Sequence, residues 1–309
     1  MDVYLQTMEK RGIKGLFIIV FGLIWVSSSY GWGTYGHTSV TKSAIDNLPY
    51  NMRTTFTPYQ QWLVDTSTDA GVRTGWAPNE SYFHYIDADS NAGCTWPFDC
   101  LPRDYSTYLS QYGVSNGVNP YIVNQLTYQL ETAYRDWSLS PTASRMTTIK
   151  YCMSRLSHYA ADLNIPLHLT EDYNPNGVHS RYESTMLNNY HPLVISQSDS
   201  GMIYKADIMA YCFSRISARY PYYHVIAQAD TTAQALDSSY GTTYYNSLWA
   251  QTRSFTTTML NEAALDVSSL WYTAWINAGL SAVPVELSEF TAETDPIWED
   301  KSLLQPISK

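Results

Sequence analysis

A chain of 309 residues, 45% of them apolar, is long enough to bury one large core or two small ones. Its 28 acidic and 18 basic side chains give a formal net charge of −10 at pH 7, and they leave no basic stripe of the kind that neutralises a polyphosphate backbone. No Gly/Ser or Pro linker divides the middle of the chain, and beyond the first thirty residues no segment approaches transmembrane length.

Residues 1–31 read as a secretory signal. Lys10, Arg11 and Lys14 form a basic start, and Gly15 to Val26 is an apolar run too short to span a bilayer comfortably. The small residues Ser29 and Gly31 place cleavage before Trp32, with an uncleaved anchor as the alternative. Cleavage removes two acidic and three basic residues, so the mature charge becomes −11, and it sends the protein to a periplasmic or extracellular location. Trp32-Gly-Thr-Tyr-Gly-His37 then opens the mature chain. A free α-amino group and its own carbonyl can chelate a metal, with His37 one helical turn later; a plain amphipathic start packing Trp32 and Tyr35 is the other reading.

Residues 36–67 are helical in pattern, with Ala44, Ile45, Leu48, Phe56, Trp62 and Leu63 apolar. Asp65 to Gly71 is loop-like and contains Asp69, and fifteen residues later comes His84 within Tyr82-Phe-His-Tyr-Ile-Asp-Ala-Asp89. Those aromatic flanks suit a pocket wall or a buried histidine cluster. Cys94 and Cys100 enclose a short loop, and in an exported protein they read as a local disulfide. Cys152 and Cys212, in the similar heptapeptides 151–157 and 211–217, read either as a second disulfide or as two buried thiols.

Helices are expected over 119–139 and 143–163, then roughly over 201–219, 222–237 and 252–279, and no convincing alternating strand is present. The class is therefore all-α, a single multi-helix domain over 32–281 with long loops. Residues 282–309 read as a mobile tail.

His158 and Asp162 are four apart and share one helix face. Pro166 ends that helix, and the turn it forces can bring His168 toward the same place. After a Gly/Asn/Pro loop at 172–177, His179 and Glu183 repeat the imidazole and carboxylate spacing. Nitrogen and oxygen donors in such sets are ligands that zinc accepts.

The ordered set is an N-terminal Trp with His five residues on, a loop Asp about fifteen before an aromatic-His-aromatic segment, His-x3-Asp-x5-His, and His-x3-Glu. Taken together, it resembles the superfamily of trinuclear zinc enzymes that contains the zinc-dependent phospholipases C and the single-strand-specific zinc nucleases. The resemblance spans most of residues 32–280. It implies an all-helical fold with three zinc ions in a cleft. Asp69, His84 and His158 would hold one zinc, the Trp32 amino and carbonyl groups with His37 a second, and His168, His179 and Glu183 a third, while Asp162 would bridge or serve the close pair. The activity implied is phosphodiester hydrolysis, in which zinc lowers the pKa of water to about 7. Asp69 would orient or deprotonate that water, or serve only as a ligand. No Ser/His/Asp elbow and no P-loop competes for the assignment.

His179-x3-Glu183 looks like the phospholipases, whereas the opening Trp-Gly-Thr-Tyr-Gly-His looks nuclease-like. Ala70, Ser81 and Tyr35 depart from the choline-selective phospholipase pattern. The expected substrate is thus a phospholipid, met through transient contact with a membrane surface; the alternatives are single-stranded nucleic acid or, without enzymatic activity, a zinc-binding surface protein.

Overall fold

A computed structural model describes residues 31–72, 79–90, 93–192 and 201–280, with the side chains of Gly71 and Val72 excepted. The signal segment, apart from Gly31, and the tail from 282 lie outside the described residues. Among the described residues twelve α-helices run in the order α1 (Gly33–Asp46), α2 (Tyr50–Phe56), α3 (Gln60–Thr66), α4 (Asp69–Val72), α5 (Tyr105–Tyr112), α6 (Asn119–Leu139), α7 (Ala143–Asp162), α8 (Val178–Ser180), α9 (Leu187–Tyr190), α10 (Ile208–Arg219), α11 (Tyr222–Leu236) and α12 (Thr242–Asn277). A π-helical segment, Arg181–Met186, joins α8 to α9. Among the described residues there is no strand, only an isolated bridge between Ile86 and Gly117. The all-helical expectation therefore holds.

The α6–α7 hairpin forms where the sequence places it. Pro120 sits in the first turn of α6, where a missing N–H costs nothing. Thr142 caps α7 by accepting from the Arg145 N–H at 3.3 Å. α12 is the spine: its 36 residues extend about 54 Å and pack against α1, α6, α7 and α11. Trp271 on α12 is fully buried and donates its indole N–H to the Met153 carbonyl at 3.2 Å, which seats α12 on α7. Phe56, Tyr134 and Trp275 meet at ring-centroid distances of 5.2–6.1 Å and close the core between α2, α6 and α12.

The expected single helix over 36–67 is broken into α1, α2, a 3-10 turn (Thr57–Tyr59) and α3. Pro49 stands at the N-cap of α2 and Pro58 in the first turn of the 3-10 segment, and neither has an N–H with which to continue the preceding helix. α12 begins ten residues earlier than its apolar stripe suggests, and α5 lies in a stretch that the periodicity left unassigned.

Cys94 and Cys100 are disulfide-bonded as expected. Cys152 and Cys212 are not: both are buried thiols. They face different surroundings, Cys152 beside Arg155 and Tyr134, and Cys212 beside Asp266 and Asp207.

Candidate metal centre and cleft

α1 presents His37, α7 presents His158 and Asp162, and all three are buried. His37 Nε2 lies 3.3 Å from Asp162 Oδ1, His158 Nε2 lies 3.3 Å from Asp162 Oδ2, and the two imidazole rings stack at 3.9 Å. His84 enters from the turn after Glu80–Phe83. Its Nδ1 is 2.9 Å from Asp162 Oδ2 and 3.2 Å from His158 Nε2. Asp162 thus serves three imidazoles, although Oδ1, fully buried, receives no aligned hydrogen bond.

A second group forms where Pro166 turns the chain. Asn164 is fully buried and tied to Asp266 at 3.1 Å and Arg219 at 3.2 Å, which fixes the turn. His168 follows in a 3-10 turn, His179 comes from α8 and Glu183 from the π-helical segment. His168 Nε2 and His179 Nε2 are 3.2 Å apart, and Glu183 Oε2 lies 2.8 Å from His179 Nε2 and 3.6 Å from His168 Nε2. Neither Glu183 oxygen receives an aligned hydrogen bond, although the side chain is fully buried.

Two backbone carbonyls decide what these imidazoles present. His158 Nδ1 donates to the Ser67 carbonyl and His168 Nδ1 to the His84 carbonyl, each at 2.7 Å. A carbonyl only accepts, so each Nδ1 carries a proton, and in a neutral ring it is Nε2 that faces the carboxylate neighbour with a lone pair. Lone pairs and carboxylate oxygens facing one another in a dry interior repel, and a shared cation relieves that repulsion. Tetrahedral ligands at about 2.0–2.1 Å from a metal would stand about 3.3 Å apart, close to the spacings in both groups. Within each of the sets His37/His158/Asp162 and His168/His179/Glu183, the donor atoms all lie within 4.8 Å of one another, so each could hold a metal ion.

Two of the imidazoles are held neutral, as ligation needs, while His179 is raised by the Glu183 charge against the effect of burial. Burial holds His158 down to about 3, and burial, reinforced by His158 and His168, holds His84 well below its usual value, so both are neutral. Burial tends to raise Glu183, but the charges of His179 and His168 prevail and lower it. Burial and Glu183 raise Asp162.

Trp32 lies beside the first group. Its buried indole donates to the Ala161 carbonyl at 3.0 Å, one residue before Asp162, and its own carbonyl accepts from the Gly36 N–H at 3.2 Å. Gly31 has φ +98°, and a Cβ there would fall 2.2 Å from Asp162 Oδ1 and 2.3 Å from His37 Nε2. The backbone entering Trp32 therefore lies directly against the ligand set. Asp69 is placed elsewhere: it heads α4 and lines a small cavity with Trp62, Tyr151 and Arg155, outside both groups.

Behind His84 and His158 stands a support that spacing alone did not reveal. Arg155 donates to Glu80 Oε1 at 3.1 Å and Tyr159 donates to the same oxygen at 2.7 Å, all buried. The Tyr159 ring meets His84 at 5.1 Å and His158 at 5.5 Å, both edge-on. Glu80 stands between Asn79 and Ser81, and Arg155 between Ser154 and Leu156, so neither charge stands out in the sequence.

His84, His168 and His179 open onto one cleft of about 280 Å³, whose other walls are Ser81, Tyr85, Asp87, Leu167, Glu171 and Tyr173. Among the described residues that line it there is no lysine or arginine. No family model matches the chain, and no curated protein is similar to it. The chemistry of the site has to come from its own residues.

Proposed function

We propose that this chain is a zinc-dependent phosphodiester hydrolase, phospholipase C-like in substrate, acting outside the cytoplasm after removal of residues 1–31. The observation that carries the reading is the pair of buried ligand sets whose imidazoles are fixed by carbonyls with their lone pairs toward unsatisfied carboxylates. His37, His158 and Asp162, with His84 alongside, would hold zinc on one side, and His168, His179 and Glu183 on the other. A third ion would draw on the amino and carbonyl groups of Trp32 with His37, while Asp69 lines a separate cavity. Bound there, zinc supplies charge that lowers the pKa of water toward neutrality and offsets negative charge on a phosphoryl group.

The chain's own groups do the rest. His84, His168 and His179 border the cleft where a phosphoryl group would enter, Tyr85 and Tyr173 give it an apolar wall, and the buried Glu80–Arg155–Tyr159 layer holds His84 and His158 in register. Two carboxylates and no cationic side chain in the lining favour a small diester headgroup over a long polyanion. Half-exposed Tyr173 beside His179 suits contact with an amphipathic interface. Among the described residues no helix is long and apolar enough to cross a membrane.

One zinc-loaded preparation assayed on mixed phospholipid micelles and on single-stranded DNA and RNA, with a chelator-treated control, tests the reading. Chelator-sensitive release of diacylglycerol supports it. Nucleotide release without diacylglycerol moves the assignment to the nuclease branch, and inactivity on every diester overturns it.

A further inference from the structure

From Tyr85 to Asp89 burial alternates along the chain: Ile86 and Ala88 are fully buried, whereas Tyr85, Asp87 and Asp89 are partly exposed. Backbone bonds hold this segment on both sides. The Ile86 N–H donates to the His168 carbonyl at 2.9 Å, the Ala88 N–H to the Leu169 carbonyl at 3.3 Å, and the Asp87 N–H to the Asn116 carbonyl at 2.8 Å. With its neighbours turned into the core, Asp87 stands on the cleft wall beside the loop that carries His168, in the cavity bordered by His84, His168 and His179.

The same wall crowds negative charge around it. Asp89 accepts from the Thr170 hydroxyl at 2.6 Å, the Glu171 N–H at 2.9 Å and the Tyr220 hydroxyl at 3.0 Å. Those bonds fix the Glu171 segment beside Asp87, and Glu171 lines the same cleft. Tyr108 from α5 interacts electrostatically with Asp87 and Tyr85, and the three imidazoles line the same cavity. Burial, with the charges of Asp89 and Glu171, pushes the Asp87 carboxyl up to about 7. A carboxyl that keeps its proton near neutrality because of burial and nearby negative charge is suited to act as an acid.

From this geometry we propose that Asp87 is a catalytic residue, the general acid that protonates the leaving oxygen of a phosphodiester in the cleft; the inference rests on the phosphodiesterase reading above. In the step, the oxygen of water bonds to phosphorus and the bond from phosphorus to the leaving oxygen breaks. The Asp87 proton goes to the departing oxygen, which leaves as an alcohol, and the carboxylate regains a proton equivalent to the one that water releases.

The test uses the zinc-loaded full chain and two diesters with one substituent in common, one losing p-nitrophenolate, the other an alkoxide. p-Nitrophenolate leaves without protonation; an alkoxide does not. Asp87→Asn should lower kcat on the alkyl diester by about 100-fold or more, the usual range for a general acid, and change kcat on the p-nitrophenyl diester less than about fivefold. Zinc content and circular dichroism of the variant should match those of the parent, which separates lost proton transfer from lost structure. Asp87→Glu should recover part of the alkyl rate. Equal losses on both diesters, or no loss on either, overturn the proposal and leave the hydrolase reading standing. A parent protein inactive on both diesters overturns the two together.

Discussion

Replacing Glu183 by glutamine keeps its volume and removes the carboxylate charge that His168 and His179 face from 3.6 and 2.8 Å. If each ligand group takes one zinc, free zinc at about 1,000 times the dissociation constant stabilises the fold by about 4 kcal/mol per site. For a domain of this size 1 kcal/mol moves Tm by about 2–4 °C, so each filled group is worth about 8–16 °C. Chelator-stripped parent protein should therefore gain about 16–32 °C on adding zinc. Glu183→Gln should gain about half of that and bind one ion fewer by elemental analysis, because the group around Asp162 is untouched. Scanning calorimetry on dialysed samples, with and without zinc, measures both increments. Equal zinc-induced shifts in parent and variant would refute the assignment of Glu183, and a parent whose Tm ignores zinc would refute the metal centre.

Arg155→Ala leaves the Glu80 carboxylate buried without its cation and should cost about 3–5 kcal/mol in urea unfolding. A cost below about 1 kcal/mol would show that the pair is not structural. Trp32→Phe removes only the indole bond to Ala161 and should cost about 1 kcal/mol, whereas Trp32→Ala also opens a fully buried cavity and should cost about 3–5 kcal/mol in the same assay. For metal-free protein the proton balance below neutrality is close to even. His84 and His158 are held neutral by lowered pKa values, so the unfolded chain binds two protons that the fold refuses, while Asp162 and Asp87, both raised, hold two that the unfolded chain gives up. Stability should change by no more than about 1 kcal/mol between roughly pH 6.5 and 5, and a steep loss by denaturant titration would contradict that balance. Cys152, its thiol pushed up to about 12 by burial, and Cys212, also raised, should alkylate only after denaturation, and Cys94 and Cys100 only after reduction as well; peptide mapping reads all four.

The two ligand sets were legible because helical periodicity maps spacing onto direction. His158 and Asp162, then His179 and Glu183, are each one turn apart, and Pro166 marks where the chain must bend toward His168. Longer-range placement was not legible. Nothing in the spacing of Asp69 says that α4 leads it into the cavity beside Trp62 and Tyr151, and nothing in the two similar heptapeptides says that Cys152 and Cys212 face different neighbours. The carbonyls of Ser67 and His84 carry no side-chain signature, so the groups that fix the imidazole tautomers show only in three dimensions. The alternation through Tyr85–Asp89 is too short to read as a strand, and its partner loop at 168–173 comes about eighty residues later and pairs through backbone alone.

His84 touches both ligand sets at once. Its ring leans on Asp162 in the first, and its carbonyl holds the His168 ring in the second. Filling either set stiffens the peptide that orders the other, so part of the ordering entropy of the second ion is spent when the first arrives. Zinc uptake should then be cooperative, with a Hill coefficient above one in a titration from the stripped state. By reciprocity, an ion in either set should raise the affinity of the other by the same factor.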